Sequence, residues 1–381
     1  MIHQLTYLQA IVIGLIQGLT ELFPISSLGH TVLIPSWFGG SWAALVSEES
    51  RAESPYLAFV VGLHLATALV LIGYYWREWL RLIRGLVTSL ISRRIETADQ
   101  RLAWLIVIAT IPVGLAGLAL EHAFRVLFAR PEAAALFLMI NGGILFLGER
   151  YRRRAGQPVP PTGAQLAARA AGSADVTAAG AVGAAPAAAG PAAAAAAGSA
   201  MSVSPAVSAA PAVADNSKKR AGKHAGATVP GGSGAVTRQD RSGPGHTPID
   251  EVSEQRLAAI GWRSALWIGA AQILALFAGI SREGVTMAGG LVRGLSHEDA
   301  MRFSFLLSTP VILAAGALKI PDLTGPLGAG IRGQVIVGSI AAAATSLLAI
   351  VFLSRYFRTR TLTPFAIYCL AAGLISLIRF I

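Results

Sequence analysis

Apolar residues run in long blocks through most of the chain, and the polar positions that interrupt them are few and clustered. The blocks fall at about 7–23, 25–38, 56–76, 103–120, 133–149, 260–280, 285–295, 300–320, 334–353 and 362–380. Several reach the roughly 20 residues that a helix needs to cross a bilayer. The blocks on either side of Pro24-Ile25-Ser26-Ser27, and those flanking Gly279-Ile280-Ser281-Arg282, are too short or too polar for a full span. Half-length segments that meet at a Gly/Pro/Ser break predict re-entrant hairpins. Irregular backbone at that depth persists only where protein or a water-filled cavity covers it.

The two breaks share one register. Ala10 matches Ala265, Ile13 matches Ile268, Gly14 matches Gly269, and Gln17 matches Gln272, all at the same spacing. Leu19 and Leu274, Ile25 and Ile280, Ser26 and Ser281, and Gly29 and Gly284 continue it as far as Pro55 and Pro310. Matches of Ala, Leu and Ile come easily in an apolar chain; Gln to Gln with Ile-Ser to Ile-Ser in one register does not. The pattern predicts an internal repeat.

Lys and Arg bias sets the orientation. Arg77, Arg81, Arg84, Arg93, Arg94 and Arg101 mark the stretch 77–101 as a cytoplasmic loop, and Arg150 to Arg154, Arg355, Arg358 and Arg360 mark the same side. Threading the chain through these points sends segment 56–76 inward and segment 300–320 outward. The first hairpin then enters from outside and the second from inside. The predicted fold is an all-α polytopic membrane protein of two inverted-topology repeats, residues 1–154 and 256–381, each a re-entrant helical hairpin plus three transmembrane helices. Such repeats place their sites near the midplane, where the broken helices meet.

Composition agrees. Of the 381 residues 54% are hydrophobic and 13% charged, against roughly 45–50% and 25% in soluble domains. The net charge of +11 is therefore a poor argument for nucleic acid, because most basic residues flank apolar blocks or sit in a polar insert. That insert, 155–255, is rich in Ala, Gly, Pro and Ser, carries Lys218-Lys219-Arg220, and reads as a disordered cytoplasmic linker with a solvated charge run, weak attraction to anionic membrane lipids being the alternative. Cys369 is the single cysteine, which excludes an intrachain disulfide and a cysteine metal site. The first block lacks a basic start and contains Gln17 and Glu21, unlike a cleaved signal peptide.

The chemistry concentrates at the breaks. A carboxylate or guanidinium at bilayer depth costs roughly 2.5–3.5 kcal/mol on insertion scales, so Glu21 and Arg282 need a partner or a task. Glu21 lies four residues after Gln17, on the same helix face; a carboxylate beside a carbonyl oxygen suits a hard cation, Mg²⁺ or Ca²⁺. Ser26 and Ser27 stand where a helix begins, placed to cap it or to hold phosphate oxygens. His30, one turn on, is a candidate general base or proton shuttle. Around Arg282, whose fork suits phosphate oxygens, Ser281 and Thr286 supply hydroxyls. Glu283 either joins Glu21 on a cation or turns away into a salt bridge. Arg293 reads equally as a phosphate contact or an interfacial anchor. His64 and Asn141, isolated in spans, read as helix-to-helix hydrogen bonders.

These residues resemble the bacterial undecaprenyl-diphosphatase, or bacitracin-resistance, family. Gln17 to Glu21 followed by Pro24-Ile25-Ser26-Ser27-Leu28-Gly29-His30 matches its first motif in full. Ala278-Gly279-Ile280-Ser281-Arg282-Glu283-Gly284-Val285-Thr286 matches its second, with Ala278 in place of a proline and Glu283 in place of a small residue. Gly290 to Leu295 and Arg302 to Leu307 also look like the family, and the resemblance covers nearly all the chain outside the insert. It implies hydrolysis of undecaprenyl diphosphate to the monophosphate and inorganic phosphate, recycling the lipid carrier for cell-wall synthesis, in a plasma-membrane enzyme whose site opens to the outer face. On that reading Glu21, Ser27, His30 and Arg282 are catalytic, and Ser26, Ser281, Arg282 and Thr286 bind phosphate. A divalent cation sits near Glu21, with Gln17 and Glu283 as further candidates. Ser27 attacks phosphorus or orients the water that does. The rival class is a lipid-phosphate transporter using the same inverted-repeat site; it would need anion clamps but no nucleophile and base.

Overall fold

Thr6 and Gln9 form a capping box, each side chain meeting the other's backbone N–H, and so start α1 (Tyr7–Leu22). The structure is a computed structural model that describes residues 5–49, 55–128, 130–154 and 248–381. Most of the insert, with Lys218-Lys219-Arg220, lies outside these residues. After α1 come α2 (Ser27–Phe38), α3 (Gly40–Glu49), α4 (Pro55–Tyr74), α5 (Trp76–Ser92), α6 (Ala98–Phe128) and α7 (Pro131–Arg154). The second half holds α8 (Pro248–Ala258), α9 (Trp262–Ala271) with a 3₁₀ turn (Gln272–Leu276), α10 (Arg282–Val292), α11 (His297–Thr324), α12 (Arg332–Tyr356) and α13 (Thr363–Phe380). Among the described residues there is no strand.

Among the described residues six helices are long and apolar enough to cross a membrane: α4, α6 and α7 in the first half, α11, α12 and α13 in the second. This is a polytopic membrane architecture. The arms at the breaks are shorter, as their interrupted sequence predicts: α1 has 16 residues, α2 12, α9 10 and α10 11. The described residues of both halves belong to one compact unit.

Each broken helix packs against the other half. The first arm α1 lies on α12, and its counterpart α9 lies on α6. Small residues form the first of these seams. A Cβ at Gly14 or Gly18 would collide with the carbonyl oxygens of Gly338 and Ala342. Both helices thus present a small-xxx-small pattern that lets their backbones touch, which is how helices gain packing where lipid is as apolar as leucine. The second arm α10 lies on α7, while Trp37 Nε1 of α2 donates to Ser376 Oγ of α13 at 3.1 Å.

Two expectations change at the Arg-rich end. The stretch 77–101 is not all loop: α5 occupies Trp76–Ser92 and buries Glu78, Leu82, Gly85 and Ser89. These positions recur at helical spacing, so one face packs on α6 while the arginines alternate with them; charge counting alone hides that period. The last residues of the insert are also ordered, in α8. Ion pairs explain why. Arg302 of α11 meets Glu78 at 3.0 Å and Glu254 at 3.2 Å, Arg81 also pairs with Glu254, and Arg256 meets Asp299 at 2.8 Å. Burial raises the Glu78 carboxyl's pKa above its ordinary value, and Arg302 draws it back only in part. The same layer joins Glu149 at the end of α7 to His297 at 2.8 Å, and Arg358 to Glu298 at 3.3 Å.

Candidate active site

Neither break could stand alone in lipid, and each closes on the other. Ser26 has φ 71 and ψ 107, a left-handed conformation that costs a non-glycine residue on the order of 1–3 kcal/mol. Its Oγ holds the turn by accepting two backbone N–H bonds, from Gly29 at 3.2 Å and from Gly279 of the second break at 3.1 Å. Ser281 mirrors it: Oγ accepts from Gly284 N at 3.1 Å and donates to Phe23 O of the first break at 3.4 Å. Gly279 has φ 113, and a Cβ there would strike the Ala134 carbonyl on α7; only glycine fits. Asn141 of α7 completes the join, donating from Nδ2 to Pro24 O at 2.9 Å and accepting at Oδ1 from Ser281 N at 3.0 Å.

Where the breaks meet lies a small polar pocket lined by Glu21, Ser26, Ser27, Leu28, His64, Ala275, Ile280, Ser281, Arg282 and Glu283. The first residues of α2 and α10 both border it, so two helix N-termini converge on one place. That concentrates partial positive charge and favours an anion.

Glu21, 4% exposed, is the hub. Its Oε2 accepts from Gln17 Nε2 at 3.0 Å and from the Ser27 hydroxyl. His64 Nε2 of α4 stands 3.3 Å from the same oxygen, and Arg282 Nη1 lies 3.9 Å from Oε1. His64 Nδ1 meets Val60 O at 2.9 Å, which fixes the ring. Among the described residues Arg282 Nε and Nη1 are buried without a hydrogen-bond partner, as is Glu283 Oε1. Buried guanidinium N–H groups lacking acceptors are costly unless a ligand supplies them.

The structure thus brings Glu21, Ser27 and Arg282 together, with Glu283 on the same wall. It places other expected site residues differently. His30 does not serve Ser27: its Nδ1 meets Ser26 O at 2.7 Å and its Nε2 meets Tyr368 OH at 2.8 Å. A carbonyl oxygen only accepts, so Nδ1 carries hydrogen and a neutral ring receives the Tyr368 hydroxyl at Nε2. The acceptor facing Ser27 is Glu21. Helical spacing put His30 within a turn of Ser27 but could not show that helix rotation turns the ring toward α13. Thr286 donates to Arg282 O at 2.7 Å and bonds Ser304; it is fully buried and outside the pocket lining. Ser26 and Ser281 border the pocket, but their hydroxyls are engaged as caps and ties. Gln17 turns its amide nitrogen, not its oxygen, to Glu21. Arg293 is exposed at the end of α10, away from the pocket lining.

His64 and Asn141 are the residues that sequence reasoning undervalued. Both form the hydrogen bonds to other elements that their isolation in spans suggests, but those bonds reach the breaks themselves. The available signal was the rule that a polar residue inside a span marks a functional site by default.

The fold and site define a multi-pass membrane protein with an anion-receptive pocket built from two apposed helix breaks. Sequence comparison is specific: the chain belongs to the family described as bacitracin resistance protein BacA, whose profile matches residues 10–209 and 232–375. It is 51% identical to Undecaprenyl-diphosphatase 2 of Frankia alni, over 99% of both chains. It is 47% identical to Undecaprenyl-diphosphatase of Mycolicibacterium paratuberculosis, over 99% of this chain and 98% of that one. Identity to Undecaprenyl-diphosphatase of Granulibacter bethesdensis is 32% over 98% and 96%. With such coverage the alignments span the insert, although the family profile leaves residues 210–231 unmatched.

Ser26→Ala removes the cap and the tie to Gly279 together. It is expected to lower stability by about 1–2 kcal/mol, read as a reduced thermal midpoint in detergent; an unchanged midpoint would show that the tie contributes nothing.

Proposed function

We propose that this protein hydrolyses undecaprenyl diphosphate to undecaprenyl phosphate and inorganic phosphate, recycling the lipid carrier of cell-wall synthesis and thereby conferring bacitracin resistance. Family membership and relatives named undecaprenyl-diphosphatase support the activity. The observation that carries the site is Arg282, with buried N–H groups lacking acceptors beside a hydroxyl held by a carboxylate.

In this mechanism the diphosphate enters between the N-termini of α2 and α10. Arg282 donates to its non-bridging oxygens and neutralises charge that grows on the leaving phosphate, the main requirement of phosphoryl transfer. Ser27 Oγ faces the terminal phosphorus, and Glu21 takes the Ser27 proton, or that of a water which Ser27 orients. Gln17 and His64 hold the Glu21 carboxylate in place. Ser26, Ser281, His30 and Thr286 act one step back, fixing the backbone at the breaks. The prenyl tail stays in lipid between helices.

Oxygen ligands for a divalent cation are present: Glu21 and Glu283 line one pocket, and among the described residues Glu283 Oε1 has no hydrogen-bond partner. Among the described residues no group of three His, Cys, Asp or Glu is arranged for a metal. The set therefore suits Mg²⁺ or Ca²⁺ completed by substrate phosphate oxygens and water, and such a cation would offset diphosphate charge. It also gives Glu283, otherwise repulsive beside a phosphate, a reason to face inward.

The finer architecture is two inverted-topology repeats. Its support is the exchanged packing, α1 on α12 and α9 on α6. The ion-pair layer adds to it: α4 ends beside that layer and α11 begins in it, so the two run in opposite directions. If the arginine-rich layer is cytoplasmic, the first hairpin enters from the outer face, and the proposed substrate route opens there.

Arg282→Ala is expected to lower kcat for phosphate release from purified protein in detergent by about 10²–10³-fold; retention of wild-type turnover would remove the proposed clamp. Chelation of divalent cations is expected to stop turnover and Mg²⁺ or Ca²⁺ to restore it, whereas full activity in chelator refutes the cation. Rapid quench with labelled substrate separates the two routes: a phosphorylated Ser27 establishes covalent attack, and its absence during burst-phase turnover assigns attack to water.

A further inference from the structure

Asn141 belongs to neither break, yet its amide touches both. It is fully buried in α7. Nδ2 donates to Pro24 O and Oδ1 accepts from Ser281 N, at 2.9 and 3.0 Å. Pro24 stands three residues before Ser27, and Ser281 immediately precedes Arg282. One planar group therefore holds the backbone beside the hydroxyl and the backbone beside the guanidinium. We infer that Asn141 is a positioning residue that sets the separation of Ser27 and Arg282 across the diphosphate, an inference that rests on the phosphatase reading above.

Three observations converge on it. The amide orientation is fixed, because the flipped form would oppose two acceptors at Pro24 and two donors at Ser281. The approach is specifically accommodated: a Cβ on Gly284 would lie 2.9 Å from Asn141 Oδ1, so the glycine after Glu283 leaves room for this side chain. The need is also real, since Ser281 N and Pro24 O are backbone groups without helical partners at membrane depth, where water cannot replace a lost bond. Only an amide side chain offers a donor and an acceptor on one small planar group. Aspartate keeps the bond from Ser281 and opposes Pro24; leucine, of similar volume, keeps neither. The ties through Ser26 and Ser281 hydroxyls bring the breaks together, but each acts within the breaks. Asn141 references both to a third, membrane-spanning helix, and so defines position rather than contact.

The test compares kcat and KM for undecaprenyl diphosphate in monodisperse detergent-purified variants. Asn141→Leu is expected to lower kcat about 10–100-fold while KM changes less than about threefold, the pattern of misplaced reacting groups rather than lost binding. Asn141→Asp is expected to fall between leucine and wild type. A folded Asn141→Leu protein with wild-type kcat overturns the inference, as does a loss confined to KM. If the leucine variant does not fold, the aspartate variant decides: wild-type kcat there overturns the inference, and a reduced kcat at wild-type thermal midpoint supports it. Arg282→Ala measured alongside keeps the two questions apart. Full activity in that variant removes the phosphatase site itself, whereas its loss beside a fully active Asn141→Leu removes only the positioning role.

Discussion

Backbone polar groups that leave a helix inside a membrane must find partners within the protein, and that constraint shapes everything at the centre of this chain. Two helices are broken, and neither break is self-sufficient. Gly279 N finds Ser26 Oγ, Phe23 O finds Ser281 Oγ, and Pro24 O and Ser281 N share the amide of Asn141. Each break is thus part of the other's solvent. The halves of the chain cannot separate without exposing these groups to lipid, which makes the site and the fold one structure rather than a site placed on a scaffold.

The electrostatics follow from the same geometry. Bringing two breaks together points two helix N-termini at one pocket and sets a carboxylate against a guanidinium. Glu21 is well supplied: one of its oxygens faces an amide, a hydroxyl and an imidazole. Arg282 is not; 3.9 Å from Glu21 is too long for a hydrogen bond, and among the described residues two of its nitrogens have no hydrogen-bond partner. The pocket therefore holds its carboxylate firmly and leaves its guanidinium in want of acceptors, an asymmetry that favours an incoming anion. Glu283 departs from that economy, and a cation shared with substrate is the arrangement that reconciles it with an incoming diphosphate.

A second polar region stabilises the opposite requirement. Around Arg302 the charges are paired among themselves, Glu78 and Glu254 against Arg302 and Arg81, Asp299 against Arg256. These bonds hold the amphipathic helix α5 and the short helix α8 to α11, and α11 carries Ser304 beneath Thr286. Ion pairs at this end close to 2.8–3.2 Å, while Glu21 and Arg282 at the breaks stand 3.9 Å apart. The two regions differ in pairing rather than in burial, since Glu78 and Glu21 are almost equally inaccessible.

Much of this was written in the sequence. Block length determined the six spans, because bilayer thickness is a fixed ruler. The Ser and Gly breaks and the two charges beside them marked the site, because charge in lipid is too costly to be incidental. The shared register of Gln17 with Gln272 and Ser26 with Ser281 carries the expectation of two related halves. Direction was not legible. His30 and Thr286 lie at the right spacing, yet helix rotation turns one to Tyr368 and the other to Ser304. Ser26 and Ser281 have the right chemistry, but the partner breaks claim their hydroxyls first. Tertiary structure alone brought His64 to Glu21 and Asn141 to both breaks, because a polar residue in an apolar span records that it needs a partner and nothing in its neighbours says which. Sequence fixes periodicity and cost along one chain; partners separated by more than a hundred residues are decided only when helices pack.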